Sequence, residues 1–199
     1  MERGHGTKLS RKTAWLILRR RGVWGDPPGN KRAVQRFERS KPNDLWQADL
    51  VEKGPTAIGE VYGVPILDDH SRYLVGLRFF PGKGAESVLL TTYLAMAGNG
   101  TPAEILCDRG GQFVDATGEG TTHFQEILKA LGIQLSLAPR VQSKGKGERI
   151  IQLIERDFLD EVRWQITDLK DLNERGETWR EAYNQTRLHE TCAGRKLRP

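Results

Sequence analysis

The stretch Leu45-Trp-Gln-Ala-Asp-Leu-Val51 decides the fold. From Trp46 to Leu50 apolar and polar positions alternate, the period of a half-buried β-strand. A carboxylate, Asp49, lies inside it. Working outward, Glu60 to Leu67 and Arg72 to Phe80 read as two further strands. The turn-forming Asp68-Asp-His-Ser71 joins them into a hairpin. Ala85 to Ala97 has helical spacing and stops at Gly98-Asn-Gly100. Glu104-Ile-Leu-Cys107 is a short buried strand, His123 to Leu131 a helix ended by Gly132, and Ile133 to Leu137 a last strand closed by Pro139. The glycine-containing stretch Arg140 to Gly147 reads as a flexible segment leading into a long helix from Glu148 to Trp164. In that helix Ile150, Ile151, Ile154, Phe158 and Val162 recur at helical spacing. A final helix covers Leu169 to Asn184. An antiparallel meander followed by alternating helices and strands predicts a mixed α/β sheet with helices on both faces.

Composition narrows the function. Of the 199 residues 37% are apolar, enough to bury a core, which excludes wholesale disorder. No apolar run is longer than that of Ala14 to Leu18, which is far too short for a transmembrane helix. Nothing at the N-terminus has the order of a secretory signal. Two cysteines, Cys107 and Cys192, make no disulfide framework, and a reducing, cytoplasmic setting is expected. Residues 1–41 hold 12 Lys/Arg and 3 Asp/Glu, a net +9, whereas the remainder holds 19 and 23, a net −4. A basic arm on a slightly acidic body predicts a polyanionic partner. Within the arm, Leu9 to Gly22 reads as a short helix with Ser10 as N-cap. Residues 31–43 read as a basic linker.

Three acids occupy telling places. Asp49 lies in the first strand, Asp108 directly follows the strand Glu104–Cys107, and Glu148 opens the long helix. Such acids can converge at one end of a sheet, where they repel one another unless cations offset the charge. Oxygen donors without Cys or His partners suit Mg²⁺ or Mn²⁺. Two such ions about 3.5–4 Å apart would clamp both oxygens of an in-line phosphoryl displacement. Asp68 and Asp69 are rival carboxylates, read here as turn formers. Lys144, Lys146, Arg149 and Arg156 are expected to contact the phosphates of the polyanionic partner beside the acids, with Arg109 and Gln112 as further contacts and Arg11 and Lys12 as contacts in the arm. His5, His70, His123 and His189 show no zinc spacing. Cys107 reads as packing.

The surroundings of the acids carry a resemblance. Asp44-Leu-Trp-Gln-Ala-Asp49, Ile105-Leu-Cys-Asp-Arg-Gly-Gly-Gln-Phe113 and Ser143-Lys-Gly-Lys-Gly-Glu-Arg149 occur in order. Together they resemble the Trp-Gln-x-Asp, Asp-x-Gly-x-x-Phe and Gly-x-x-Glu-Arg motifs of retroviral integrases and of the DDE transposases of insertion sequences. The resemblance covers roughly residues 41–185. Between Asp108 and Glu148 lie 39 residues, slightly more than is usual in the family, and Val114 to Thr122 is the expected site of the extra loop. Leu9 to Gly22 looks like the end of the helix-turn-helix region of such transposases, and Trp179 to His189 is similar to the segment that follows their core.

The resemblance implies a ribonuclease-H-like core at 41–167, a basic arm and partial helix-turn-helix at 1–40, and a C-terminal helix and tail at 168–199. It also implies that Asp49, Asp108 and Glu148 hold two Mg²⁺ or Mn²⁺ ions when DNA is bound. Water would then cut one strand at each element end, and the released 3′-hydroxyl would attack target DNA without a covalent enzyme–DNA intermediate. A homo-oligomer, dimer or higher, assembles on the DNA in this picture, in the bacterial cytoplasm and away from any membrane. Two rival readings remain. The family's preceding helices are missing before Leu9, and Leu188 stands where proline is usual; both features suit a catalytically inactive or regulatory DNA-binding fragment. The other rival is a metal-dependent nuclease on the same fold.

Overall fold

The computed structural model describes residues 17–18, 21, 39–108, 110, 113, 121–137 and 144–186. The chain divides into two compact units, Met1–Phe37 and Glu38–Pro199. In the first, Ile17 and Leu18 are helical and Arg21 N–H donates to the Ile17 carbonyl at 3.1 Å. The rest of that unit, including Arg11 and Lys12, lies outside the described residues. No helix among the described residues is long and apolar enough to cross a membrane.

The second unit is built on a six-stranded sheet: β1 (Trp46–Ala48), β2 (Val51–Thr56), β3 (Gly59–Asp68), β4 (Leu74–Phe80), β5 (Glu104–Cys107) and β6 (Gln134–Leu137). β1 and β2 lie along one edge of β3 and β4 along the other, all antiparallel. β5 adds parallel to β1, and β6 parallel to β5. β1 and β2 share one register against β3, from Trp46↔Asp68 to Ala48↔Ile66 and on from Val51↔Gly63. They are therefore one strand, interrupted at Asp49 and Leu50. The interruption has a chemical cause. Asp49 N–H donates to the Pro65 carbonyl at 3.3 Å, and Pro65 has no N–H with which to return the bond. The expected strand ends at Val51; the observed pairing continues to Thr56.

Helices cover both faces, as the sequence predicts. On one face Trp46, Ala48, Val64, Ile66, Ile105 and Cys107 pack against α1 (Ala85–Asn99) and α2 (His123–Ala130) through Val88, Ala95, Phe124 and Leu128. On the other, Val51, Val61, Leu74, Leu77 and Phe79 meet α3 (Lys144–Ile154) and α4 (Leu169–Thr186) through Ile150, Ile154 and Leu172. α3 continues through a π-helical segment, Glu155–Leu159, to a short end at Asp160–Val162. Capping fixes α2: Thr122 accepts from Gln125 N–H at 3.2 Å and Gln125 accepts from Thr122 N–H at 2.7 Å. The hairpin strand begins at Leu74 rather than Arg72, because Arg72 adopts a positive φ of 62° and belongs to the turn.

Two corrections concern α3. The segment read as flexible, up to Gly147, is helical from Lys144, so Glu148 is not the first residue of the helix but its fifth. The π-helical segment interrupts the regular helical spacing expected between Ile154 and Val162.

Candidate active site

Strand alternation decides where the acids point. Trp46, Ala48 and Leu50 pack toward α1 and α2. The intervening Gln47 and Asp49 therefore belong to the face that carries α3. In β5, Ile105 and Cys107 share the face of Trp46, which places Asp108 on the face of Asp49. The parallel register Trp46↔Ile105 and Gln47↔Leu106, continued two residues, sets Asp49 beside Asp108. Neighbouring strands run about 4.8 Å apart, so the two residues are neighbours at the ends of β1 and β5.

The Cys107 thiol responds to this neighbourhood. Burial, with further contributions from the Asp108 and then the Asp49 carboxylates, pushes it up to about 12. It therefore stays protonated at neutral pH. This agrees with its expected role in packing.

Each aspartate is oriented by a backbone N–H. Asp49 is half-buried, and its Oδ1 accepts from Leu50 N–H at 2.9 Å. Asp108 is exposed, and its Oδ1 accepts from Gly110 N–H at 2.9 Å. The turn beyond it is tied down, since Phe113 N–H donates to the Gly110 carbonyl at 2.9 Å. Phe113 is buried edge-on to Phe124, with ring centroids 5.7 Å apart. The Thr122 hydroxyl closes the turn on the Phe113 carbonyl at 3.1 Å.

The third acid arrives by way of a glycine. A Cβ on Gly147 would lie 3.0 Å from Asp49 Oδ2, so the first turn of α3 rests against the Asp49 carboxylate. Glu148 is the next residue, and its side chain is exposed. Among the described residues no three His, Cys, Asp or Glu side chains are gathered closely enough to hold a metal ion. The structure thus brings Asp49 and Asp108 together and carries the backbone of Glu148 to them, without drawing its carboxylate into a closed triad. An all-oxygen donor set of this kind suits a hard divalent cation.

Of the expected DNA contacts, Arg149 is exposed on α3 and Lys144 and Lys146 lie in its first turn. Arg156 is exposed on the π-helical segment and pairs with Asp157. Arg109 and Gln112 lie outside the described residues. Asp68 and Asp69 are turn formers, as expected, and are 2% and 0% exposed. Sequence reasoning passed over Gly147; its only signal was a glycine immediately before a candidate acid.

A mixed sheet of this order, with acids following its first strand and its neighbouring parallel strand, is the ribonuclease-H-like architecture of integrase catalytic cores. Residues 39–143 match the model of the integrase core domain, and the chain belongs to that family of transposase and integrase cores. The transposase of transposon Tn552 from Staphylococcus aureus is 28% identical over 154 residues, covering 68% of this chain and 30% of that protein. The chain therefore spans less than a third of the length of that relative. The HTLV-2 integrase catalytic core, solved in complex with magnesium in a trimeric form, superposes with a TM-score of 0.61 at 18% identity, over 79% of this chain and 95% of that one. A simian T-cell lymphotropic virus intasome, in complex with the PP2A regulatory subunit B56 gamma, gives 0.63 at 16% identity, over 81% and 54%. The core of BIV integrase gives 0.53 at 18% identity, over 77% and 90%. At these identities the likeness concerns the fold.

Proposed function

We propose that this domain cuts and joins DNA strands, with Asp49, Asp108 and Glu148 as the residues that hold two divalent cations, Mg²⁺ or Mn²⁺. The observation that carries the reading is the placement of Asp49 beside Asp108 on the face where the first turn of α3 touches Asp49. Adjacent carboxylates repel each other and repel a phosphodiester, so this pair cannot bind DNA productively without added positive charge. Two bound divalent ions would supply that charge and activate the attacking oxygen.

The chain's own groups do the remaining work. The N–H groups of Leu50 and Gly110 fix the two aspartates before substrate arrives, which avoids reorganisation during the reaction. Glu148, the residue directly after Gly147, would complete the set. Arg149, with Lys144 and Lys146 on the same helix, holds the phosphate backbone across the site, and Arg156 extends that contact. Arg109, Gln112, Arg11 and Lys12 are proposed as additional contacts. The substrates are the element ends and target DNA, and joining two ends calls for a homo-oligomer. Such a protein acts in the bacterial cytoplasm, where its DNA lies.

Labelled element-end duplex with Mg²⁺ tests the reading. Nicks together with joined products support it; cleavage without joining supports a nuclease; binding without cleavage supports an inactive DNA-binding protein. DNA affinity should fall steeply with salt if Lys and Arg contact phosphates, and a flat salt response would remove them from the interface.

A further inference from the structure

Glycine is a poor helix residue, because it gives up more backbone freedom than any other on ordering. α3 nevertheless carries Gly147 in its first turn, directly before Glu148. The surroundings explain why. A Cβ there would stand 3.0 Å from Asp49 Oδ2 and 4.0 Å from the Asp49 carboxyl carbon. Asp49 cannot simply swing aside, being half-buried on the sheet with Oδ1 held by Leu50 N–H at 2.9 Å. Gly98 of α1 is the internal contrast: it too is helical, but a Cβ there would meet nothing within 4 Å.

We infer that Gly147 is a positioning residue of the acidic site. Its missing side chain sets how closely α3 approaches Asp49, and hence whether Glu148 reaches the Asp49–Asp108 pair. A methyl at 147 must push α3 outward or turn the Asp49 carboxylate. Metal-holding constellations tolerate displacements of only about 0.5 Å. The inference rests on the metal-holding role proposed for the triad.

The test measures Mn²⁺ binding by electron paramagnetic resonance, with and without a DNA duplex, alongside melting temperature. Wild type, Gly147→Ala, Gly98→Ala and Asp49→Asn are compared. Gly147→Ala should bind Mn²⁺ about tenfold more weakly or worse while melting no lower than wild type, since alanine favours the helix. Gly98→Ala should bind as wild type does. Undiminished Mn²⁺ binding by Gly147→Ala, or equal weakening by Gly98→Ala, overturns the positioning role and leaves the triad standing. A wild type that takes up no Mn²⁺ in either condition, or an Asp49→Asn variant that binds normally, overturns the triad itself. Should Gly147→Ala melt lower, it is repeated on an Asp49→Ala background. The loss should disappear there, because the opposing carboxylate is gone; an equal loss on both backgrounds refutes the contact.

Discussion

Asp68 and Asp69 end β3 and enter its turn, while Asp49 and Asp108 directly follow β1 and β5, and the two pairs differ in what surrounds them. The Asp68 Oδ1 accepts from the backbone and the hydroxyl of Ser71, both at 2.7 Å, and its Oδ2 accepts from Asn43 N–H at 2.8 Å. Asp69 accepts from Gln47 Nε2 at 2.6 Å and from Arg39 N–H at 2.9 Å, and it pairs with the buried Arg72 guanidinium at 3.3 Å. Every one of these donors belongs to the chain, so burial is offset from within. The Asp49–Asp108 pair sits side by side on an accessible face, with like charge as its neighbour. A carboxylate buried among internal donors is structural, whereas the half-buried Asp49 and the exposed Asp108 remain open to a ligand. The sharpest break of this comparison is Asp49→Asn, Asp108→Asn or Glu148→Gln. Each should lower DNA cleavage by roughly 10⁴-fold, equivalent to about 5.5 kcal/mol of transition-state stabilisation. For the two aspartates, melting temperature should hold or rise as repulsion is relieved. Nicking assays with calorimetry decide it, and full cleavage in any one variant removes that residue from the site.

The structural pair should respond the other way. Asp69→Ala removes the carboxylate that pairs with the Arg72 guanidinium, whose side chain is 7% exposed, and the acceptor of Gln47 Nε2. Breaking a buried pair from one side costs about 3–5 kcal/mol, which lowers the melting temperature of a chain this size by about 6–20 °C. Mn²⁺ binding by the folded fraction should remain. Thermal unfolding read beside metal binding separates the two effects, and a variant that keeps its melting temperature but loses Mn²⁺ would merge the two pairs into one site.

The parts of the molecule that were legible in sequence were those governed by local pattern. Alternation from Trp46 to Leu50 is enough to set the face of Asp49, and the glycines after Asp108 announce its turn. The continuation into β2 was hidden, because Glu52-Lys-Gly-Pro55 breaks the alternation and only backbone pairing with β3 keeps it in the sheet. The start of α3 was hidden for a related reason: Gly145 and Gly147 look like loop, yet at 147 a side chain would strike a carboxylate contributed from nearly a hundred residues away. Arg156, expected to contact phosphate on a regular helix, falls in the π-helical segment and already pairs with Asp157. Long-range steric and ionic partners leave no trace in local periodicity.

Asn184 extends the comparison to a neutral group and to a smaller effect. Among the described residues β4 pairs with β3 alone, so the outer backbone groups of β4 need partners or they invite another strand. α4 supplies them. Asn184 Oδ1 accepts from Leu74 N–H at 2.9 Å while its Nδ2 donates to the Leu74 carbonyl at 3.1 Å. Asn173 does the same for Phe79, at 2.8 and 3.0 Å. In Asn184→Leu the Leu74 carbonyl keeps Arg180 Nη1 at 3.0 Å, so the N–H alone loses its partner. Leaving one buried donor unsatisfied costs about 1–3 kcal/mol. In Asn184→Asp the carboxylate still accepts from that N–H but confronts the Leu74 carbonyl with negative charge, so it should be no better than leucine. Chemical denaturation ranks them as wild type above Asn184→Leu, with Asn184→Asp equal to it or lower, and cleavage per folded molecule unchanged in both. If Asn184→Asp were as stable as wild type, the Leu74 carbonyl would need no amide donor, and the shielding of this edge would rest on apolar cover from Leu172, Trp179 and Tyr183 instead.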